Sequence, residues 1–301
     1  MPDKPTAEVV VDETLVRALL RDQCAELSGA PLHHAADGWD CSVWRVGDRL
    51  AVRLPRRAAA ADLIAHEQTA LAIIGPQIEQ TGVRVPLPLV HGRPTAGYPW
   101  SWSVVPWITG MPGLAVAREQ RRGWASSLAA ALRALHRPAL ADAPVNPVRG
   151  RPLATRDEAV SARFEAARRR GSAAEEVLTH AQRLWRDAVE TPDWSAPPVW
   201  IHGDLHPGNL VAMGGRLVGV IDFGDVTGGD PAYDLAVAWL AFDAAGRTLF
   251  RAELPGVDEA TWVRARGWAA AVAVLLLEHS DDNEPYRLLG SEALAELVCE
   301  P

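Results

Sequence analysis

Three polar side chains follow one another within the stretch WIHGDLHPGNLVAMGGRLVGVIDFGD: Asp204, Asn209 and Asp222. The apolar runs around them predict two strands joined by a loop. Asp204, Asn209 and Asp222 lie within this strand–loop–strand unit or directly after it. A carboxylate, an amide and a second carboxylate suit Mg²⁺, a hard cation that takes oxygen ligands, keeps waters and shares phosphate oxygens. The chemistry that this supports is phosphoryl transfer, in which the metal neutralises the phosphates and a nearby carboxylate accepts the proton of an attacking hydroxyl.

Two motifs in this stretch match the catalytic and metal-binding loops of eukaryotic-like kinases. HGDLHPGN, residues 202–209, has the D-x-x-x-x-N spacing of the catalytic loop, and IDFGD, residues 221–225, contains D-F-G. Together they resemble the aminoglycoside phosphotransferase family, which phosphorylates small molecules, and the resemblance covers nearly the whole chain. It implies that Asp204 is the catalytic base and that Asn209 and Asp222 bind Mg²⁺. It also implies that Asp234 braces the backbone of the catalytic loop.

Two other interpretations of these polar residues carry less weight. Turn capping accounts for one Asp or Asn in a loop, but hardly for three at kinase spacing. A zinc site at His202 and His206 is disfavoured because Pro207-Gly208 interrupts the segment and no third nitrogen or sulfur ligand is nearby. We interpret His202 as a structural imidazole that steadies the loop, and His206 stays undecided.

Nucleotide binding has to use arginine, because the chain holds 29 arginines and a single lysine, Lys4. In the family that the sequence resembles, a lysine on the third strand pairs with a glutamate on the following helix. Arg53 and Glu67 occupy those places here, so Arg53 is expected to bind the α- and β-phosphates of ATP or GTP. An incidental surface pair is the alternative for these two residues.

The loop over the phosphates and the hinge complete the expected nucleotide site. The loop would be residues 38–42, where backbone N–H groups and the Ser42 hydroxyl could bind phosphate, although one glycine makes a weak motif. Cys41 in this loop is more simply a small buried side chain. At the hinge, Pro106 keeps a carbonyl that can accept a hydrogen bond from adenine, and Ile108 supplies the N–H donor.

The elements that must position these residues fall into two groups. Up to about residue 108, short apolar runs around a Gly47-Asp48 turn predict a hairpin, then an alanine-rich helix at residues 58–74 that Gly75-Pro76 ends, then further strands. Beyond residue 110 the pattern is mainly helical, with two helices within residues 157–190. The sequence therefore predicts an α+β fold, and the resemblance makes it a bilobal protein-kinase-like fold with a small antiparallel-sheet N-lobe and a larger α-helical C-lobe.

We expect the division between the two lobes at the hinge. Residues 1–108 would form the nucleotide-binding N-lobe including the hinge, and residues 109–301 the α-rich catalytic and substrate-binding C-lobe. A first helix is expected at Glu8 to Glu26, before the hairpin. Ligand clefts favour such boundaries between lobes, so the nucleotide and its acceptor should meet there.

The charge distribution bears on the partners. The net charge is −8, and residues 200–301 alone hold 6 basic and 16 acidic side chains. Such an acidic region argues against nucleic acid as a partner, since phosphate backbones need positive surface. It would attract cationic ligands instead. A small-molecule substrate is therefore expected, with no protein partner implied.

The acceptor itself stays open between two antibiotic classes. Asp225, Glu278 and Asp281 are candidates to bind the ammonium groups of an aminoglycoside, which ranks first. The alternative is a macrolide in an apolar pocket, for which the candidate lining is Trp239, Phe242, Trp262 and Trp268. A metabolic kinase directed at choline, homoserine or a sugar ranks third, and a catalytically silent nucleotide-binding protein is least favoured, since the three motif residues are intact.

Composition favours a reduced, cytoplasmic protein. The three cysteines are scattered and form no C-x-x-C pair. The opening residues show no basic-then-apolar export signal. The longest apolar stretch, Trp268 to Leu277, is ten residues long, which indicates a core helix because a membrane span needs about 20 residues. No membrane association is therefore expected.

Overall fold

A single antiparallel sheet forms the core of the N-terminal part of the chain. The computed structural model describes residues 5–280 and 283–299. The strands of this sheet are β1 (Leu32–Asp37), β2 (Cys41–Val46), β3 (Leu50–Pro55), β4 (Val90–Gly92) and β5 (Trp102–Pro106). Their order is β1-β2-β3-β5-β4. The predicted β2–β3 hairpin is confirmed, but β1 was not predicted, because five of its six side chains are exposed and it lacks an alternating pattern.

Helix α1 (Glu13–Gln23) packs on this sheet and is shorter than the predicted Glu8–Glu26. It begins where Asp12 caps it, since the Asp12 carboxylate accepts from the backbone N–H of Leu15 at 2.8 Å. The buried face of α1, Leu19 and Leu20 included, shares a small hydrophobic core with the sheet. The sheet and this helix together confirm the predicted small antiparallel lobe.

Helix α2 (Ala61–Glu79) runs through Gly75-Pro76, so the predicted end of the helix at that dipeptide is wrong. Ala72 and Pro76 lie on the exposed side, and the carbonyl that loses its N–H partner at Pro76 can be hydrated there. Ile74 and Ile78 stay buried on the opposite side. Burial of this apolar face therefore outweighs the cost of the proline.

The remainder of the chain is mainly helical, and the two helices predicted within residues 157–190 are both present. Its helices are α3 (Ala125–Leu135), α4 (Asp157–Arg170), α5 (Glu175–Glu190), α6 (Ala232–Leu235), α7 (Val237–Ala241), α8 (Ala244–Ala252), α9 (Glu259–His279) and α10 (Glu284–Val298). Its strands are β6 (Met111–Pro112), β7 (Val199–Ile201), β8 (Leu210–Met213), β9 (Arg216–Val220) and β10 (Thr227–Gly229). Strands β6, β8 and β9 form one sheet, and β7 pairs with β10.

Helix α9 is the centre of this lobe and packs against α4, α5, α6, α7 and α10. By length and composition alone α9 could cross a membrane, but 67% of its most apolar window is buried inside the protein. This burial is the one expected of the core helix that the sequence predicts around Trp268 to Leu277. The core of this lobe extends into α2, whose Leu71, Ile74 and Ile78 belong to the same buried cluster. The two lobes are therefore joined by α2 as well as by the hinge.

Candidate active site

Asp234 holds the backbone of the catalytic loop between β7 and β8. Its carboxylate accepts from the backbone N–H of His202 at 2.8 Å and from that of Gly203 at 3.0 Å. Gly203 has a φ of 82°, and a Cβ there would lie 2.4 Å from the carbonyl oxygen of Asp225. Only glycine fits this position without strain. The bracing role that the resemblance implied for Asp234 is present in these hydrogen bonds.

The two histidines of the loop have their ring nitrogens committed to the protein. Nδ1 of His202 accepts from the backbone N–H of Asp204 at 3.1 Å, so its Nε2 carries the proton and donates to the Ile221 carbonyl at 3.0 Å. Nδ1 of His206 accepts from the N–H of Gly208 at 3.0 Å, and its Nε2 lies 3.4 Å from Asp204. Within residues 5–280 and 283–299, no group of three or more His, Cys, Asp or Glu side chains could hold a metal ion. The zinc alternative therefore has no support.

Asp204 is surrounded by donors that favour its charged form. Oδ1 lies 3.4 Å from the guanidinium of Arg149, and Oδ2 accepts from Nδ2 of Asn209 at 3.2 Å. Burial raises the pKa of Asp204, but the His206 imidazole and the Arg149 guanidinium lower it by more, so that it falls well below its ordinary value. The side chain is thus ionised at neutral pH, as a proton acceptor must be.

Asn209 and Asp222 present the oxygens that a magnesium ion needs. Nδ2 of Asn209 donates to the Asp204 carbonyl at 2.8 Å as well as to its carboxylate, which leaves the amide oxygen of Asn209 for a ligand. The backbone N–H of Ile221 donates to the Asn209 carbonyl at 2.9 Å, so the two loops are joined. Asp222 has a φ of 65°, and its side chain is 54% exposed. One amide oxygen and one exposed carboxylate fit Mg²⁺ that shares its remaining positions with phosphate and water.

Arg53 on β3 connects Asp222 to Glu67 on α2. Its guanidinium donates to the Glu67 carboxylate and, at 2.7 Å, to Oδ1 of Asp222. Glu67 is fully buried and also accepts from the backbone N–H of Phe223 at 3.0 Å. Burial lowers the pKa of Arg53, but the Glu67 and Asp222 carboxylates raise it by more. Because Glu67 is buried, the alternative of a surface pair is excluded.

Ser42 does not lie free over the phosphates. It is buried in β2, where its hydroxyl accepts from the Trp44 indole at 3.1 Å and donates to Asp37. The oxygen and the proton of this hydroxyl each already have a partner within the chain. This contradicts the prediction that Ser42 binds phosphate. Cys41 is buried as predicted, and burial raises the pKa of its thiol to about 12. The backbone N–H of Gly38 donates to the Cys41 carbonyl at 2.8 Å, and phosphate binding by the other N–H groups of this loop stays a prediction.

The hinge residues lie at the crossing from the sheet to the helical lobe. Pro106 ends β5 opposite Leu50 of β3, and the backbone N–H of Trp107 donates to the Arg49 carbonyl at 2.7 Å. The N–H of Ile108 donates to no acceptor in the part of the chain that the structure describes. This backbone donor is therefore compatible with the predicted contact to adenine, which stays a prediction.

Asp225 lies beside the catalytic loop, and its predicted contact with the acceptor stays a prediction. Its carboxylate accepts from the Asn146 amide at 2.7 Å and lies 3.6 Å from the Arg149 guanidinium. Burial raises the pKa of Asp225, and Arg149 opposes that rise. The carboxylate thus already has two partners within the chain.

The other two predicted acceptor residues do not join this group. Glu278 is buried near the C-terminal end of α9, where Ser172 donates to it at 2.6 Å and Arg170 lies at 3.5 Å. It connects α9 to the turn between α4 and α5 and has little surface left for a ligand, so its prediction as a substrate residue is wrong. Asp281 lies outside the described residues.

The aromatic side chains proposed to line an apolar pocket lie in the core instead. All four are at most 5% exposed. They pack on one another and on neighbouring rings, as Trp239 does on Trp262 and Trp268 does on Trp185. The prediction of an aromatic pocket is therefore wrong, because α9 is surrounded by helices and buries its large side chains on several faces.

Arg149 and Tyr233 are site residues that the sequence analysis missed. Arg149 donates to the Tyr233 hydroxyl, and its guanidinium lies 5.1 Å from the centre of that ring. The amide oxygen of Asn146 accepts from the backbone N–H of Arg149 at 2.9 Å and so fixes the turn that delivers it. The Asn146-Pro147 dipeptide, a turn signal, is the single clue in the sequence.

Solved structures with the same fold include kinases of antibiotics. A GDP and kanamycin complex of APH(2'')-IIIa is 19% identical, with a TM-score of 0.69, covering 95% of this chain and 99% of the other. A macrolide 2'-phosphotransferase from Brachybacterium faecium is 19% identical, with a TM-score of 0.61 and coverage of 93% and 97%. A streptomycin–ATP ternary complex of APH(2'')-IIa is 17% identical, with a TM-score of 0.55 and coverage of 95% and 97%. These likenesses confirm the predicted bilobal kinase-like fold.

Sequence comparison assigns the family. Comparison with curated protein sequences finds no match. The model of the phosphotransferase enzyme family, APH, matches residues 32–268, which include the five-stranded sheet, the catalytic loop and about the first half of α9. Because this match spans most of the chain, the protein belongs to the phosphotransferase enzyme family and is a phosphotransferase of kinase type.

Proposed function

We propose that the protein transfers the γ-phosphoryl group of ATP or GTP to a hydroxyl of a small molecule. The observation that carries this proposal is the convergence of Asp204, Asn209 and Asp222 with the buried Arg53–Glu67 pair at one site. In the reaction the bond between the γ-phosphorus and the bridging oxygen breaks and a bond from phosphorus to the acceptor oxygen forms. The proton of the hydroxyl passes to Asp204, and the nucleoside diphosphate leaves.

Each of these residues has a separate role in the phosphoryl transfer. Asp204 orients and deprotonates the hydroxyl, and Arg53 binds the phosphates next to Glu67. Mg²⁺, held by Asn209 and Asp222, would neutralise phosphate charge. Pro106 and Ile108 would bind the base through their backbones. On this basis we divide the chain into a nucleotide-binding lobe, residues 1–108, and a catalytic lobe, residues 109–301.

The acceptor belongs among small hydroxyl compounds, with antibiotics as the first candidates. The solved structures include complexes with kanamycin and with streptomycin, and a macrolide phosphotransferase shares the fold. The aminoglycoside and macrolide classes therefore form the first screening panel. We place the enzyme in the cytoplasm, where nucleoside triphosphates are supplied and where its three free cysteines stay reduced.

Acceptor-dependent formation of ADP or GDP over that panel tests the proposal. Asp204→Asn should lower turnover by about 100-fold or more, the usual effect of losing a positioned base, while nucleotide binding by calorimetry stays near wild type. Asp48→Asn, at an almost fully exposed aspartate, is the matched control and should leave turnover unchanged. Wild-type protein whose nucleotide turnover no hydroxyl compound increases, or an Asp204→Asn variant with full activity, would refute the proposal.

A further inference from the structure

Arg149 places a positive charge inside the acceptor side of the site. Its guanidinium lies 3.4 Å from Oδ1 of Asp204 and 3.6 Å from Oδ2 of Asp225, and it also donates to Tyr233. The Arg149 side chain is only 20% exposed, so solvent screens these contacts weakly. The catalytic base and the neighbouring carboxylate therefore share a cation that belongs to the chain.

Asp204 and Asp225 thus each have a cation of the chain close by before any ammonium group of the acceptor arrives. Asp225 also accepts from Asn146 at 2.7 Å, and Asp204 also lies 3.4 Å from Nε2 of His206. An ammonium group beside the reacting hydroxyl would have to approach the Arg149 guanidinium, a like charge that repels it. Binding of a polycation at this point is therefore opposed on two counts, lost attraction and added repulsion.

Two further arginines, Arg156 and Arg163, follow Arg149 along the chain. Burial lowers the pKa of Arg163 in α4, and the positive charges of Arg156 and Arg149 lower it further. Within the described residues, neither Arg156 nor Arg163 forms an ion pair. Residues 149–163 hold four arginines and two acidic side chains, so this segment is net positive, unlike residues 200–301.

We propose that Arg149 is a specificity-determining residue, which neutralises the Asp204–Asp225 pair from within the chain and selects an acceptor with no ammonium group beside its reacting hydroxyl. This inference rests on the proposed function, since it concerns the acceptor of that reaction. It limits the acceptor to compounds with no positive charge beside the reacting hydroxyl. A polycationic aminoglycoside is then a poor acceptor, whereas a hydroxyl compound that is uncharged or anionic near the reacting oxygen is a good one.

Calorimetric titration with kanamycin, in the presence of ADP and Mg²⁺, measures the exclusion directly. Arg149→Gln removes the charge but keeps a hydrogen-bond donor, and it should bind kanamycin at least about tenfold more tightly than wild type, or about 1.4 kcal/mol. Arg149→Lys keeps the charge and should resemble wild type. Arg169→Gln, at an exposed arginine of α4, is the control for losing one positive charge and should also resemble wild type.

Fully N-acetylated kanamycin supplies the matched ligand, because it keeps the hydroxyls and loses the ammonium groups. Wild type should bind it, or phosphorylate it, about tenfold better than kanamycin, and Arg149→Gln should remove that preference. Unchanged kanamycin affinity in a folded Arg149→Gln variant overturns the proposal. If that variant does not fold, a wild-type enzyme that prefers kanamycin to the acetylated form overturns it. Absence of turnover with every hydroxyl compound tried, the acetylated kanamycin included, counts against the proposed function alone, since the calorimetric comparison needs no turnover.

Discussion

The buried pair of Arg53 and Glu67 should contribute far more to stability than an exposed pair of the same residues. Glu67 is fully buried, and the Arg53 side chain is 12% exposed. Arg53→Ala leaves the Glu67 carboxylate buried without its cation, and breaking a buried ion pair from one side costs about 3–5 kcal/mol. We expect Arg53→Ala to lower the free energy of unfolding by that amount, and Glu67→Ala to do so similarly.

The double variant measures the interaction between Arg53 and Glu67 separately from the effect of losing each side chain. Because Arg53→Ala combined with Glu67→Ala leaves no buried charge unpaired, its loss should be smaller than the sum of the single losses by about 1.5–3 kcal/mol. The exposed pair of Arg17 and Glu13, joined at 2.7 Å, is the matched control. Its double-mutant coupling should be about 0.3–0.5 kcal/mol.

Urea unfolding followed by tryptophan fluorescence supplies the stabilities, and calorimetry supplies the affinity for Mg²⁺–ATP. Loss of the Arg53 contact to phosphate should weaken nucleotide binding by at least about tenfold, since a hydrogen bond to a charged group contributes about 1.5–3 kcal/mol. Arg53→Lys should retain part of the affinity, because a point charge keeps the attraction without the bidentate geometry. Strict additivity of the two single variants, or an Arg53→Ala protein with wild-type stability and affinity, would refute this reasoning.

Three further substitutions have definite outcomes. Asp222→Asn should weaken Mg²⁺-dependent nucleotide binding in calorimetry with and without EDTA, because a charged oxygen ligand becomes neutral; wild-type affinity contradicts the metal assignment. Gly203→Ala should lower the melting temperature and turnover together, as strain of about 1–3 kcal/mol arises at a φ of 82°; wild-type values would show that the loop adapts. Asp230→Ala should cost about 3–5 kcal/mol in urea unfolding, since it leaves the buried Arg264 guanidinium without the carboxylate now 2.6 Å away. Its turnover per folded molecule should stay at the wild-type level, and a loss there would place Asp230 in the site.

The parts of the site that sequence predicted are those that lie close together along the chain. Asp204, Asn209 and Asp222 fall within 202–225, and one loop and one hairpin suffice to bring them together. Arg53 and Glu67 were identified because a strand and the next helix in order must face the same cleft in the fold that the sequence resembles. These predictions therefore rest on spacing along the chain and on the order of the strands and helices.

The residues that were missed or misplaced depend on contacts between distant segments. Arg149 comes from an irregular stretch between α3 and α4, and it is placed by Asn146 and by Tyr233 of α6. Glu278 has the composition of an acceptor residue, but the packing of α9 turns it toward Ser172. Ser42 lies in a strand whose neighbours occupy its hydroxyl. In each case the partner, rather than the residue type, decides the role, and sequence spacing does not identify the partner.

The hydrogen bond from the Phe223 backbone to Glu67 has a consequence for control of the enzyme. A kinase that is switched off by swinging its glutamate helix away would here have to break this bond and expose α2, whose apolar face lies in the C-lobe core. The chain also leaves little room for a regulatory loop, because β10 follows closely after Gly224 and α6 begins at Ala232. Movement of α2 away from the C-lobe is therefore opposed by a hydrogen bond to a buried carboxylate and by the loss of apolar burial at the same time.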